Sequence, residues 1–241
     1  EIGETMIKDY VAFDLETTGL DALNDEIIEI GALKVKNGKV IDRFMEFVKP
    51  SKEISSFITN ITGITNDMVA TARNTQNIIC DFVSFCGDDI LVGHNIMFDF
   101  KFIKRYILEY GQPFDKKGID TLRIARKTHK DLESKSLGAL CHYYHIENKS
   151  AHRAYHDALA TAKLYHYLAH DFEDVYPNLF EPEELQFRMK KVQPCTAKQL
   201  EYLQVLCEYH KIEMPQDVKE YTRSKASQLI DQIISTHGKM I

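Results

Sequence analysis

Asp14 and Glu16 stand two residues apart in a stretch, residues 10–16, that alternates Val11, Phe13 and Leu15 with Ala12, Asp14 and Glu16. Alternation of period two is that of a β-strand, and it sends both carboxylates out on one face. Two acids this close resist joint ionisation unless a cation neutralises them. Hard divalent ions such as Mg²⁺ and Mn²⁺ prefer carboxylate oxygen, so a metal site is the chemistry to expect. An isolated Asp-x-Glu is more often a pair of solvated charges. What sets this one apart is the apolar strand leading into it and the Thr17-Thr18-Gly19-Leu20 run directly after it. A second pair, His152 and His156, has the i, i+4 spacing of zinc ligands on a helix. Without a His-Glu-x-x-His motif or a nearby thiolate, the zinc reading is weak.

The window FDLETTGL, which contains Asp14 and Glu16, resembles the epsilon-type proofreading exonucleases of bacterial DNA polymerase III, members of the histidine-containing DEDD (DEDDh) class. The resemblance continues through DEIIEIGALKV, ITNITGIT, GHNIMFDFKFI around Asp99, IDTLRIARK, SKSL and AHRAYHDALATA, which holds His152 and Asp157. It runs from about Tyr10 to Ala169 with the motifs in family order and spacing. It implies a ribonuclease-H-like fold. It further implies that Asp14, Glu16, Asp99 and Asp157 are metal-site carboxylates for two divalent cations, Mg²⁺ or Mn²⁺, and that His152 is the general base. By the same resemblance Thr17 and the backbone near Thr18 hold the terminal nucleotide and Leu20 wedges against its base. Gly19 lets the backbone approach, and His94 and Asn95 line the same cleft. Taken alone, Asp99 and Asp157 read as first-turn acids complementing helix dipoles, and His152 as a solvated neighbour of Arg153. Asp120 reads as a helix N-cap. Glu29, between apolar neighbours in a strand, reads as structural.

Elements must bring these scattered positions together. Residues 27–35 and 40–48 are β-rich and flank Asn37-Gly38, a hairpin signal because both residues tolerate positive φ. Helical spacing of apolar residues marks 78–86, 97–110, 137–144 and 155–168, and short buried strands are expected at 90–92 and around Ile119. An antiparallel meander followed by strand–helix units predicts an α/β fold: a mixed five-stranded sheet flanked by helices. Residues 176–194, with three prolines and a Glu-Pro-Glu-Glu cluster, read as a linker. That places an exonuclease domain at 1–175 and a small helical C-terminal domain at 195–241. The latter opens on Thr196-Ala-Lys-Gln199, a capping-box form, and buries Leu200, Leu203, Leu206 and Cys207 against Ala226, Leu229, Ile230 and Ile233. Lys190 and Lys191 just before it, and Lys198, Arg223 and Lys225 within it, could meet phosphates, although a solvated basic face is the commoner meaning.

Composition sets the outer bounds. Apolar content of 44% and charged content of 27% are those of a globular protein. No apolar run reaches the ~20 residues of a bilayer span, and EIGETMIKDY is not a signal-peptide pattern. Five cysteines without CxxC pairing read as reduced thiols, hence a cytoplasmic setting. A net charge of −6 does not suggest a protein that coats nucleic acid by bulk attraction, and by itself it decides nothing further. The resemblance, not the composition, implies a 3′–5′ exonuclease releasing nucleoside monophosphates from DNA, in proofreading or repair. An RNA 3′–5′ exonuclease of the same superfamily and a non-catalytic DNA- or polymerase-binding module are the alternatives. Expected partners are a DNA 3′ end, single-stranded or frayed, and a DNA polymerase or other replication protein, with no membrane. The chain holds no polymerase-sized region.

Overall fold

A computed structural model describes residues 6–111, 113–148, 150–187 and 194–239. The chain divides into two compact units, Glu1–Phe187 and Arg188–Ile241.

The first unit is built on a mixed sheet. β1 (Tyr10–Thr17) and β2 (Ile27–Lys36) are antiparallel, and β3 (Lys39–Phe47) returns beside β2. Asn37 (φ 50°) and Gly38 (φ 72°) turn the β2–β3 hairpin, in the positive-φ pair that matches strand twist. Three helices follow: α1 (Ser56–Thr62), α2 (Asn66–Val69) and α3 (Thr75–Cys86). β4 (Ile90–Gly93) then enters parallel to β1, α4 (Ile96–Glu109) crosses over, and β5 (Lys116–Asp120) lies parallel to β4. Next come α5 (Thr121–Thr128), α6 (Leu137–Tyr143) and the long α7 (Ala154–Phe172).

Among the described residues the sheet has six strands, ordered β3-β2-β1-β4-β5-β6, one more than the sequence suggested. The sixth, β6 (Glu183–Leu185), pairs antiparallel with the outer edge of β5 and follows a 3₁₀ turn at Pro177–Leu179. It falls in the stretch read as linker. Only Leu185 of its three residues is buried, so the strand carries almost no hydrophobic pattern of its own.

Both faces of β1 are covered, whereas the edge strand β3 is largely exposed. Val11, Phe13 and Leu15 pack with α3 and α4 through Ile78, Phe82, Phe100 and Ile103. Tyr10 and Ala12 face α7, where Ala158, Ala162, Tyr165 and Leu168 are buried. The small residues of α7 let it lie close to the strands. Asp14 and Glu16 therefore leave β1 on the α7 side, at the end of the strand. Pairing between β1 and β4 stops at Ala12, leaving residues 13–17 without a β4 neighbour. That divergence opens the notch in which the acids meet.

The second unit holds α8 (Ala197–His210) and α9 (Arg223–His237), packed through Leu203, Leu206, Cys207, Ala226 and Ile233. The Thr196/Gln199 capping box forms in full, each side chain accepting from the other's backbone N–H. Lys198 and Arg223 are exposed, and Lys225 pairs with Asp217 at 3.4 Å; Lys190 and Lys191 lie outside the described residues. Among the described residues no helix is long and apolar enough to cross a membrane.

Candidate active site

β1 delivers Asp14 and Glu16 to the notch, α4 brings Asp99 on its first turn, and α7 brings Asp157 on its first turn. Specific hydrogen bonds hold the two helix acids, Asp99 and Asp157. Where β4 no longer pairs with β1, the Leu15 N–H donates to Asp99 Oδ1 at 3.1 Å, so the carboxylate continues the ladder in place of a strand. A buried backbone donor needs a partner, and here that need fixes the position of an acid. Asp157 accepts from Asn148 Nδ2 at 2.6 Å and from His152 N at 2.9 Å, which ties α7 to the loop before it. His152 sits at φ 64°, a left-handed conformation uncommon for a non-glycine residue. Glu16, His152 and Asp157 can each offer a ligand atom within 4.8 Å of the others, in an arrangement able to hold a metal ion. His156, half-buried beside the Tyr155 ring, is not one of that group.

Electrostatics bind the acids into one cluster. Burial first, then the charges of Asp99, Asp157, Glu16 and Glu29, push the Asp14 carboxyl well above the usual carboxylate range. Burial, then Asp157, Glu29 and Asp99, push Glu16 up to about 8, with Arg153 opposing. Burial also raises Asp99, against the hydrogen bond from Leu15. Raised carboxyls bind protons more tightly in the folded chain than in the unfolded one. Their stabilisation is complete below the unfolded value, near 4.5 for Glu16, and is lost as pH rises through about 8. The metal-free chain is therefore expected to melt lower at pH 8 than at pH 6. Each such group contributes a slope of about 1.4 kcal/mol per pH unit, giving a drop on the order of 5 °C. Melting curves in EDTA across this range check it; a flat or rising trend would show the acids to be well separated or well paired.

The loop after β1 is rigidly built. Thr17 Oγ1 donates to the Gly19 carbonyl at 2.7 Å, and Thr18 exchanges two bonds with Glu26, N to O at 2.8 Å and Glu26 N to Oγ1 at 2.9 Å. Gly19 lies against the Asp25 carboxylate, which a Cβ would meet at 2.3 Å. Arg105, buried on α4, donates from Nη1 to the carbonyls of Ala22 (2.9 Å) and Asp25 (2.8 Å). The outcome is that Leu20, 86% exposed, stands on a braced loop rather than folding into the core.

His94 and Asn95 are placed differently from each other. Both His94 ring nitrogens are engaged internally, Nδ1 with Thr121 Oγ1 and Nε2 with the Lys135 carbonyl, each at 2.9 Å, and burial lowers its pKa. Asn95 is left-handed (φ 66°) at the start of α4, its N–H donating to Asp120 Oδ1 at 2.9 Å and its side chain exposed without a capping bond. Asp120 also caps α5 through Leu122 N, as its type suggests. Sequence reasoning passed over Asn148 and Arg105 and took Glu29 as structural. Asn148 and Arg105 lie in no recognisable pattern, and Glu29 differs from a buried structural acid only through its contacts, described below.

Comparisons with known proteins bear on the family and the fold. An exonuclease family profile, of the RNase T type, matches residues 11–165. The DNA polymerase III PolC-type of Caldanaerobacter subterraneus subsp. tengcongensis is 42% identical over 157 residues, 65% of this chain but only 11% of that polymerase. This chain thus spans about a tenth of the length of such curated relatives. Among solved structures, Exonuclease X in complex with 5′ overhanging duplex DNA superposes with a TM-score of 0.57 at 24% identity, covering 71% of this chain and 99% of that one. The nuclease domain of 3′hExo, a DEDDh family member bound to rAMP, gives 0.62 at 17% identity, covering 76% and 100%. At such identities the structures speak for the fold. With the profile spanning most of the first unit, the chain belongs to the exonuclease family.

Proposed function

We propose that this chain is a divalent-cation-dependent 3′–5′ exonuclease that releases nucleoside monophosphates from DNA, with Asp14, Glu16, Asp99, Asp157 and His152 as its catalytic residues. The observation that carries the reading is the convergence of the four acids, from β1, α4 and α7, in one notch with His152 beside two of them. The donor set fits hard divalent ions, Mg²⁺ or Mn²⁺: it is made of carboxylate oxygens, and their mutual repulsion is what such a cation relieves. When bound, two such ions hold the phosphate, acidify water and stabilise the departing oxygen.

The chain's own residues supply the rest. His152, exposed and next to Glu16 and Asp157, takes the proton from the attacking water, a task suited to an imidazole near neutrality. Asp157 fixes the His152 backbone through the N–H bond already described. Leu20 on its braced loop wedges against the last base, and Thr17, Thr18 and Gly19 place backbone beside the terminal sugar. Asn95 offers an exposed amide at the cleft, whereas His94 acts as a strut, its ring nitrogens being used inside. Contacts of this kind read no base edge, so little sequence preference is expected.

Similarity to a chain named as a DNA polymerase supports DNA as substrate and a proofreading role beside a polymerase. Five free thiols support a reducing, cytoplasmic setting. The test uses 5′-labelled single-stranded DNA, mismatched duplex and matched RNA, with Mg²⁺ or with EDTA. A ladder shortening from the 3′ end on DNA and abolished by EDTA is expected. A ladder on RNA alone would reassign the substrate, and none on any would leave a binding module.

A further inference from the structure

Glu29 sits in the interior strand β2, 4% exposed, directly opposite Glu16 in the β1–β2 register. Carboxylates facing each other across neighbouring strands repel, and a sheet does not place them so without compensation. Among the described residues, Arg153 and Ala154, which follow His152, supply compensation. Arg153 Nε lies 3.2 and 3.1 Å from the two Glu29 oxygens, and Arg153 Nη2 lies 2.8 Å from Oε1. The Ala154 N–H, an orphan donor in the first turn of α7, donates to Glu29 Oε2 at 3.0 Å. A side chain from another strand thus caps α7, while Arg153, at the N-cap position, makes no side-chain cap of its own.

His152 lies between two anchors. Its N–H is held by Asp157, and the next two residues are held by Glu29. A non-glycine residue keeps a left-handed backbone only where its surroundings hold it there, and these two carboxylates supply the hold. Glu29 is not the only part of β2 that meets the start of α7. Gly31, on the same face of β2, lies directly under the backbone of Ala154 and Tyr155.

We infer that Glu29 is a positioning residue: through Arg153 and the Ala154 N–H it fixes the loop that aims His152 at Glu16 and Asp157. The inference rests on the exonuclease reading above. Glu29→Gln keeps the shape and one acceptor but loses the charge-assisted fork, whose geometry suits a carboxylate.

The test uses the full chain with Mg²⁺ on 5′-labelled single-stranded DNA. Glu29→Gln is expected to lower kcat by roughly 10–100-fold, the scale of losing a residue that orients a ligand, with KM little changed. Arg153→Ala should do the same from the other side. In a His152→Asn background, chosen because Asn tolerates the left-handed region, Glu29→Gln should add less than about twofold, since both changes act on one step. Independently of turnover, the His152 amide should be as ordered as the α7 helix, with an order parameter near ~0.85, and should fall towards ~0.6 in Glu29→Gln. A variant with wild-type kcat, a loss that persists in full without His152, or an unchanged His152 amide would overturn the inference. If the wild-type chain shortens no nucleic acid while the amide loosens as expected, the exonuclease reading fails and the positioning contact stands.

Discussion

Asp14→Asn is expected to slow 3′-end shortening by roughly 10³-fold or more while raising the melting temperature of the metal-free chain. The two effects have one origin. Asp14 stands where burial and the charges of Asp99, Asp157, Glu16 and Glu29 all disfavour its ionised form. Ionised acids in that position cost the metal-free fold stability, and on the proposed reading they are what would give the site its hold on divalent cations. The amide is close to the same shape, accepts through one oxygen and carries no charge. Removing a charge from the cluster relieves its neighbours, so the folded chain gains most at pH 8, where Glu16 would otherwise be losing its proton. Added Mg²⁺ should then raise the melting temperature of the wild type far more than that of the variant, by the ordinary linkage of ligand binding to folding. Turnover on labelled DNA and paired melting curves with Mg²⁺ and with EDTA check both halves. A variant that is inactive and also less stable without metal would mean that Asp14 is a structural residue. One that remains active would remove it from the site.

The parts of this layout that were legible in the sequence are those written in local physics. The alternation of residues 10–16 placed Asp14 and Glu16 on one face, Asn37-Gly38 announced its turn, and Asp120 and Thr196 announced their helices. The motifs around Asp99, His152 and Asp157 singled these residues out by resemblance alone, and no pattern in one sequence could show which elements would bring them near Asp14 and Glu16. What stayed illegible depends on register or on partners distant in the chain. β6 is three residues long, and its pairing is decided by the open edge of β5 rather than by its own composition. Glu29 looked like a structural acid because the meaning of a strand residue lies in what stands across from it, here Glu16, and above it, here Arg153. Arg105 belongs to no pattern in the sequence, and only the fold reveals that its guanidinium braces a loop some 80 residues earlier. His94 belonged to a quoted motif, yet its ring turns inward to Thr121 and Lys135.

Gly31→Ala is expected to be the most damaging single methyl addition in the first unit. Gly31 has no unusual φ, so the demand is for space alone. A Cβ there would stand 1.9 Å from Tyr155 N, 2.2 Å from Ala154 C and 2.5 Å from Tyr155 Cα. All three are backbone atoms of the first turn of α7, which cannot swing aside as a side-chain tip would. The helix must lift from β2 by more than an ångström, and with it go the buried faces of Ala158, Ala162, Leu164, Tyr165 and Leu168. Overpacking a well-filled core typically costs about 1–3 kcal/mol, and a backbone collision belongs at the upper end, which lowers the melting temperature by roughly 6–12 °C in a unit of this size. The catalytic cost should be larger still. His152 and Asp157 ride with α7 while Asp14 and Glu16 stay on β1, and a misplacement of ~1 Å in such a site can cost ~10²-fold in rate. Gly138→Ala is the control: it lies in α6 with nothing within 4 Å of the new Cβ, so it should leave activity alone and raise stability by about 0.5–1 kcal/mol. Both variants would be melted in EDTA and assayed at a temperature where each is folded. If Gly31→Ala melts with the wild type and keeps its rate, α7 does not rest on β2 at this point, and the close approach of His152 and Asp157 to Glu16 loses its foundation.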